Sequence, residues 1–122
     1  MDFTLLTEAG INVEEDIKRF GNEKLFANIL QKFLEEPSYK KLIMAVENND
    51  EKDMLAQAHA LKGLCGFLSL TPLAELFTEQ VALLRAGERE KALDMMPEIN
   101  RTYKKITDAI TKWLNEMTLS VG

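Results

Sequence analysis

Apolar positions recur along this chain at intervals of three and four residues, the period of a helix with one buried face. No stretch sustains the alternation and β-branched enrichment of a strand. The pattern predicts an all-α protein. A first helix is expected over Val13 to Phe20, with Asn12 as its N-cap and Gly21-Asn22 as its end. Leu25, Phe26, Ile29, Leu30 and Phe33 give the next helix one apolar face, bounded by Pro37. Ser38 is expected to cap a helix carrying Leu42, Ile43 and Val46 that stops at the turn-prone Asn48-Asn49-Asp50. A further helix runs from Glu51 through His59 toward Leu68. Thr71-Pro72 reads as a cap followed by a first-turn proline, opening a stripe of Leu73, Leu76, Phe77 and Leu84 that ends at Gly87.

Met96, Ile99, Tyr103, Ile106, Ile110, Trp113 and Met117 follow at intervals of 3, 4, 3, 4, 3 and 4, a seam for packing on other helices. Pro97 falls at its start, either in the first turn or at a kink after a short helix that follows Gly87; the first-turn position is the reading adopted. Short connections favour antiparallel neighbours, so the expected architecture is an up-down-up-down four-helix bundle with one or two short additional helices. No linker or repeat divides the chain, and a single domain over residues 1–122 is expected.

Composition narrows the function classes. Hydrophobic residues make up 46% and charged residues 29%, values of a chain able to build a core. Lys and Arg number 15 against 20 Asp and Glu, which argues against a nucleic-acid partner, because phosphate backbones are met by basic surfaces. The lone Cys65 cannot close an internal disulfide. The start Met1-Asp2-Phe3-Thr4 lacks a signal-peptide pattern, and no segment approaches the roughly 20 apolar residues of a bilayer span. The expected location is the cytoplasm, with no membrane partner. The glycines form no phosphate-cradling motif, and a single histidine excludes any site that needs two imidazoles.

His59 is therefore the place to look for chemistry. With residues 100° apart, the side of its helix opposite His59 collects Met54, Ala58, Leu61, Leu64, Cys65 and Leu68. Around His59 itself lie Lys52, Leu55, Ala56, Lys62, Gly63 and Gly66. A core histidine is thus excluded by phase, and a solvated surface histidine is the alternative to a functional one. Gly63 and Gly66 each weaken the helix by ~1 kcal/mol relative to alanine, and both stand beside the imidazole, leaving it approachable. Lys62, on the same face, can place an ammonium near a dianion carried by the ring.

The run Ala58-His59-Ala60-Leu61-Lys62-Gly63 resembles the signature of the histidine phosphotransfer (Hpt) domains of bacterial phosphorelays. The likeness extends to Gly10-Ile11-Asn12, to Arg19-Phe20-Gly21-Asn22, to Leu25-Phe26 through Leu30 and Phe33-Leu34, and to the Asn49-Asp50 turn before the motif. Departures are Ser69, where many relatives have glycine, Gln57 on a flank usually small or apolar, and Gln80-Val81 in place of a Leu-Glu pair. The resemblance implies a phosphocarrier rather than an autonomous enzyme. His59 would accept a phosphoryl group from the aspartyl phosphate of a response-regulator receiver domain and pass it to another receiver, with a hybrid sensor kinase upstream. Lys62 would offset phosphoryl charge, Gly63 would admit the group, and Gly66 the partner's loops. Leu55, Ala56 and Phe67 would be buried on docking, while Phe26 and Phe33 are read as core. No cofactor or metal site of its own is implied, since no carboxylate lies beside His59 and Mg²⁺ is expected in the receiver.

Two other classes compete. An Hpt-like adaptor or inhibitor could bind a kinase or regulator without carrying phosphate, although intact His59 and Lys62 argue against it. An acid–base enzyme would need a concave pocket and a carboxylate partnering His59, and the sequence offers neither. A monomer is expected, because the Met96–Met117 seam is needed inside the bundle, and Met1 favours a stand-alone carrier over an excised domain.

Overall fold

The computed structural model describes residues 2–121, with side chains as far as Met117. The described residues are helical in α1 (Thr4–Glu8), α2 (Val13–Phe20), α3 (Glu23–Glu35), α4 (Ser38–Glu47), α5 (Glu51–Phe67), α6 (Thr71–Arg85), α7 (Arg89–Asp94) and α8 (Met96–Val121). An isolated antiparallel bridge between Ile11 and Leu70 ties the N-terminal segment to the α5–α6 connection. The expectation of an all-helical protein is met.

Local chemistry sets the boundaries. The Asn12, Asn22 and Asp50 side chains accept from the backbone N–H of Glu15, Leu25 and Asp53, supplying acceptors for orphan donors at the starts of α2, α3 and α5. Gly21 closes α2 at φ 89°, a conformation a Cβ disfavours. Phe26, Leu30, Leu42, Met54, Leu61, Leu73, Phe77, Ile99 and Ile106 are buried together in one core. The α8 seam is turned into it: Met96, Ile99, Ile106, Ile110 and Trp113 are buried within this chain, with Tyr103 and Met117 half-buried.

Several expectations are corrected. Among the described residues three short helices are present, α1, α2 and α7, rather than one or two. The unexpected α1 starts where the Asp2 carboxylate accepts from the Thr4 N–H at 2.8 Å. Ser38 is the first helical residue rather than the cap; Pro37 takes the cap position, and the Ser38 hydroxyl donates backward to Glu36 Oε1 at 2.6 Å. Thr71 likewise lies inside α6, because Leu70, held by its bridge to Ile11, occupies the cap. Pro97 is a first-turn residue of α8, as expected, and the short helix after Gly87 exists as well. Leu25 stands 43% exposed at the α3 N-terminus and contributes little to the buried face.

One departure in sequence acquires a structural reason. Gln80 is buried, and its amide donates to the Ala92 carbonyl at 3.2 Å and the Met96 sulfur at 3.1 Å, tying α6 to α7 and the start of α8. A leucine there would leave that link unmade.

Candidate functional site

The site is one face of α5, a helix packed between α4 and α6. Packing fixes its rotation: Met54, Ala58, Leu61, Cys65 and Leu68 are buried, and Leu64 is half-buried. The opposite face is left to solvent. Lys52, Ala56, His59, Gly63, Gly66 and Phe67 are exposed, with Leu55 and Lys62 half-buried. The residues singled out from the sequence therefore share one accessible stripe.

Neither the His59 imidazole nor the Lys62 ammonium makes a hydrogen bond or ion pair among the described residues. Both ring nitrogens are thus open to an incoming electrophile, and no carboxylate orients the ring as an acid–base dyad requires. A Cβ built on Gly63 or Gly66 meets nothing within 4 Å. Neither glycine is required by a neighbour or by a left-handed backbone, so the space above them is open to a partner. Grooves of about 430 Å³ and 330 Å³ flank α5 on its α6 and α4 sides, and His59 lines neither. Gln57 lines the second, where its amide donates to Asp53 Oδ1 at 3.1 Å.

Phe67 ends the stripe at the last residue of α5, 50% exposed. Its ring meets Phe20 edge-on at 5.1 Å, and Phe20 in turn stacks on the fully buried Phe26 at 6.5 Å. Phe26 and Phe33 are core, as expected.

A second cluster, which sequence reasoning did not assemble, joins α2 to this end of α5. The Arg19 guanidinium donates to the Phe67 carbonyl and to Glu15 Oε1 at 3.0 Å, and stands 3.4 Å from both Asp16 Oδ1 and Ser69 Oγ. The pairs of Arg19 with Glu15 and Asp16 follow helical spacing and are legible in sequence. The link to Phe67, 48 positions away, is not. Asp16 is fully buried, and loss of hydration pushes its carboxyl up to about 6, against the opposing pull of a Ser69 hydrogen bond and the Arg19 charge. Ser69 takes φ 54°, the left-handed position that favours glycine.

Among the described residues no group of three or more His, Cys, Asp or Glu side chains is placed to hold a metal ion. Burial pushes the Cys65 thiol up to about 12, which removes it as a nucleophile at neutral pH. No helix among the described residues is long and apolar enough to cross a membrane.

Comparison with known families agrees with this picture. The family model described as Hpt domain matches residues 23–116, and the chain belongs to that family, whose members serve histidine phosphotransfer in two-component signalling as phosphocarrier modules. The match takes in the whole His59 stripe. Neither the curated proteins nor the solved structures yield a match.

Proposed function

We propose that this protein is a phosphocarrier in which His59 takes a phosphoryl group from the aspartyl phosphate of one receiver domain and delivers it to the aspartate of another. The observation that carries the reading is the open stripe: an unpaired imidazole, one turn from an unpaired lysine, flanked by two glycines that no neighbour requires. A ring nitrogen lone pair forms the N–P bond as the P–O bond to the donor aspartate breaks, and the aspartate leaves as its carboxylate. The reverse step onto a second carboxylate restores the imidazole. Little covalent work falls to the protein in such a transfer, so charge support and positioning dominate. Lys62 supplies the first by offsetting charge on the phosphoryl oxygens.

Docking uses the rest of the stripe. Leu55, Ala56 and Phe67 form an apolar rim, Gly63 admits the phosphoryl group, and Gly66 lets the partner's loops approach the backbone. The charged members of the stripe, Lys52 and Lys62, are both cationic in a chain of formal charge -5, which suits a receiver's carboxylate-rich acceptor end. Mg²⁺ belongs to that receiver, with a hybrid sensor kinase as the upstream source. Residues 1–122 act as a single domain and a monomer in the bacterial cytoplasm. Their long helices, with α3 and α4 as one broken arm, form an up-down-up-down four-helix bundle.

The test exposes the purified protein to a phosphorylated receiver, and separately to a small phosphoramidate donor, beside His59→Gln. An acid-labile adduct in the wild type alone is expected. No adduct from either donor in a folded protein would replace the carrier by a non-phosphorylated adaptor.

A further inference from the structure

The carbonyls at the C-terminal end of α5 are fully accounted for. The Leu64 oxygen accepts from the Leu68 N–H at 3.0 Å, Cys65 from Leu70 at 2.9 Å, and Gly66 from Ser69 at 3.2 Å. This is a Schellman closure, with Ser69 in the left-handed position. The Phe67 oxygen takes its bond from the Arg19 guanidinium, a side chain of another helix. Its charge also sits where the helix dipole favours a cation.

The same guanidinium reaches the Phe67 ring, with its carbon 5.6 Å from the ring centroid. Phe67 is thereby held three ways: by its carbonyl, by the cation near its ring, and by Phe20 at 5.1 Å. The guanidinium is itself fixed, by Glu15 at 3.0 Å and Asp16 at 3.4 Å. The base of α2 is fixed too, since the Asn12 N–H donates to the Ser69 carbonyl at 3.0 Å. A half-exposed aromatic at a helix end would otherwise sample several rotamers.

We propose that Arg19 is a positioning residue for partner docking: it holds Phe67 in one orientation at the edge of the stripe that carries His59, Gly63 and Gly66. The inference rests on the phosphotransfer reading above and adds to it a residue that does not touch the phosphoryl group. A preorganised aromatic anchor avoids the ordering penalty a loose one meets on binding. Arg19 therefore acts on the affinity for the receiver and leaves the chemistry at His59 unchanged.

Arg19→Ala is measured for transfer from a phosphorylated receiver, alone and in a Phe67→Ala background, with phosphoramidate labelling as the docking-independent control. The expected result is a KM for the receiver raised about two- to tenfold, the range of ordering one side chain, with kcat and phosphoramidate labelling at wild-type values. In the Phe67→Ala background the same change should raise KM no further, because the residue Arg19 positions is gone. Arg19→Lys keeps the charge beside Glu15 and loses the planar fork, so an intermediate KM is expected, and it carries the test if Arg19→Ala does not fold. An unchanged KM would overturn the proposal. So would an equal rise with and without Phe67, or a parallel loss of phosphoramidate labelling. A wild type labelled by neither donor would instead sink the carrier reading, and this inference with it.

Discussion

On one face of α5, Met54, Ala58, Leu61, Cys65 and Leu68 are sealed from solvent; on the other, Lys52, Ala56, His59, Gly63, Gly66 and Phe67 stand in it. The buried set is explained inside the chain, by area removed from water and by contact with the α4 and α6 sides of the core. The exposed set is not. Gly21 closes a helix at φ 89°, so its missing side chain serves the backbone, whereas Gly63 and Gly66 are helical and border empty space. Together they weaken α5 by about 2 kcal/mol relative to alanine, with no internal return. Nothing inside the chain accounts for them, and the proposed docking role is the account they invite.

The comparison can be broken most forcefully from both sides at once. Leu61→Ala should destabilise the fold by about 3 kcal/mol in denaturant titration, with the folded fraction still labelled at His59. Gly63→Leu should do the opposite, unfolding at or up to about 1 kcal/mol above the wild type while phosphoramidate labelling falls tenfold or more. Normal labelling of Gly63→Leu would remove the access role.

Asp16, buried beside the C-terminal end of α5, gives the next largest effect. Its folded-state carboxyl sits near 6 rather than 3.8, so folding takes up a proton between those values. The stability this contributes is full below about pH 4 and is lost as pH rises through 6. Relative to Asp16→Asn, wild-type stability should fall by on the order of 2–3 kcal/mol across that window, read by unfolding at pH 4, 5, 6 and 7. A flat difference would show that Ser69 and Arg19 hold the carboxylate ionised throughout.

Lys62→Ala should slow transfer about tenfold, near 1.4 kcal/mol of barrier, with an unchanged helical spectrum. An unaltered rate would leave Lys62 as a solubilising charge. The smallest effect is a gain: Gly66→Ala should stabilise the protein by about 1 kcal/mol in thermal unfolding, since the added methyl meets nothing. A loss of stability there would mean the glycine serves packing after all.

What sequence made legible follows the range of the physics involved. The boundaries of α2, the Asn12 cap and the rotation of α5 about its axis depend on neighbours within a turn or two, and helical spacing reveals them. The starts of α4 and α6 lie one residue earlier than local chemistry suggests, because Pro37 and the bridged Leu70 hold cap positions that Ser38 and Thr71 suit equally well. The joining of Arg19 to Phe67 crosses 48 positions, and no local pattern encodes it. Gln80 is similar: its partners on α7 and α8 exist only once the helices are assembled. The stripe itself was visible because it lies on one helix.

The chain's one tryptophan gives the N-terminal segment an optical readout. Trp113 is buried on α8, its indole N–H donates to the Asp2 carbonyl at 3.0 Å, and its ring lies 5.8 Å from both Phe3 and Phe26. Releasing Asp2 and Phe3 from the bundle would wet the indole and shift its fluorescence to longer wavelength without melting a long helix. Phe26 connects onward through Phe20 to the half-exposed Phe67. A single intrinsic fluorophore thus follows release of the N-terminal segment without any added label.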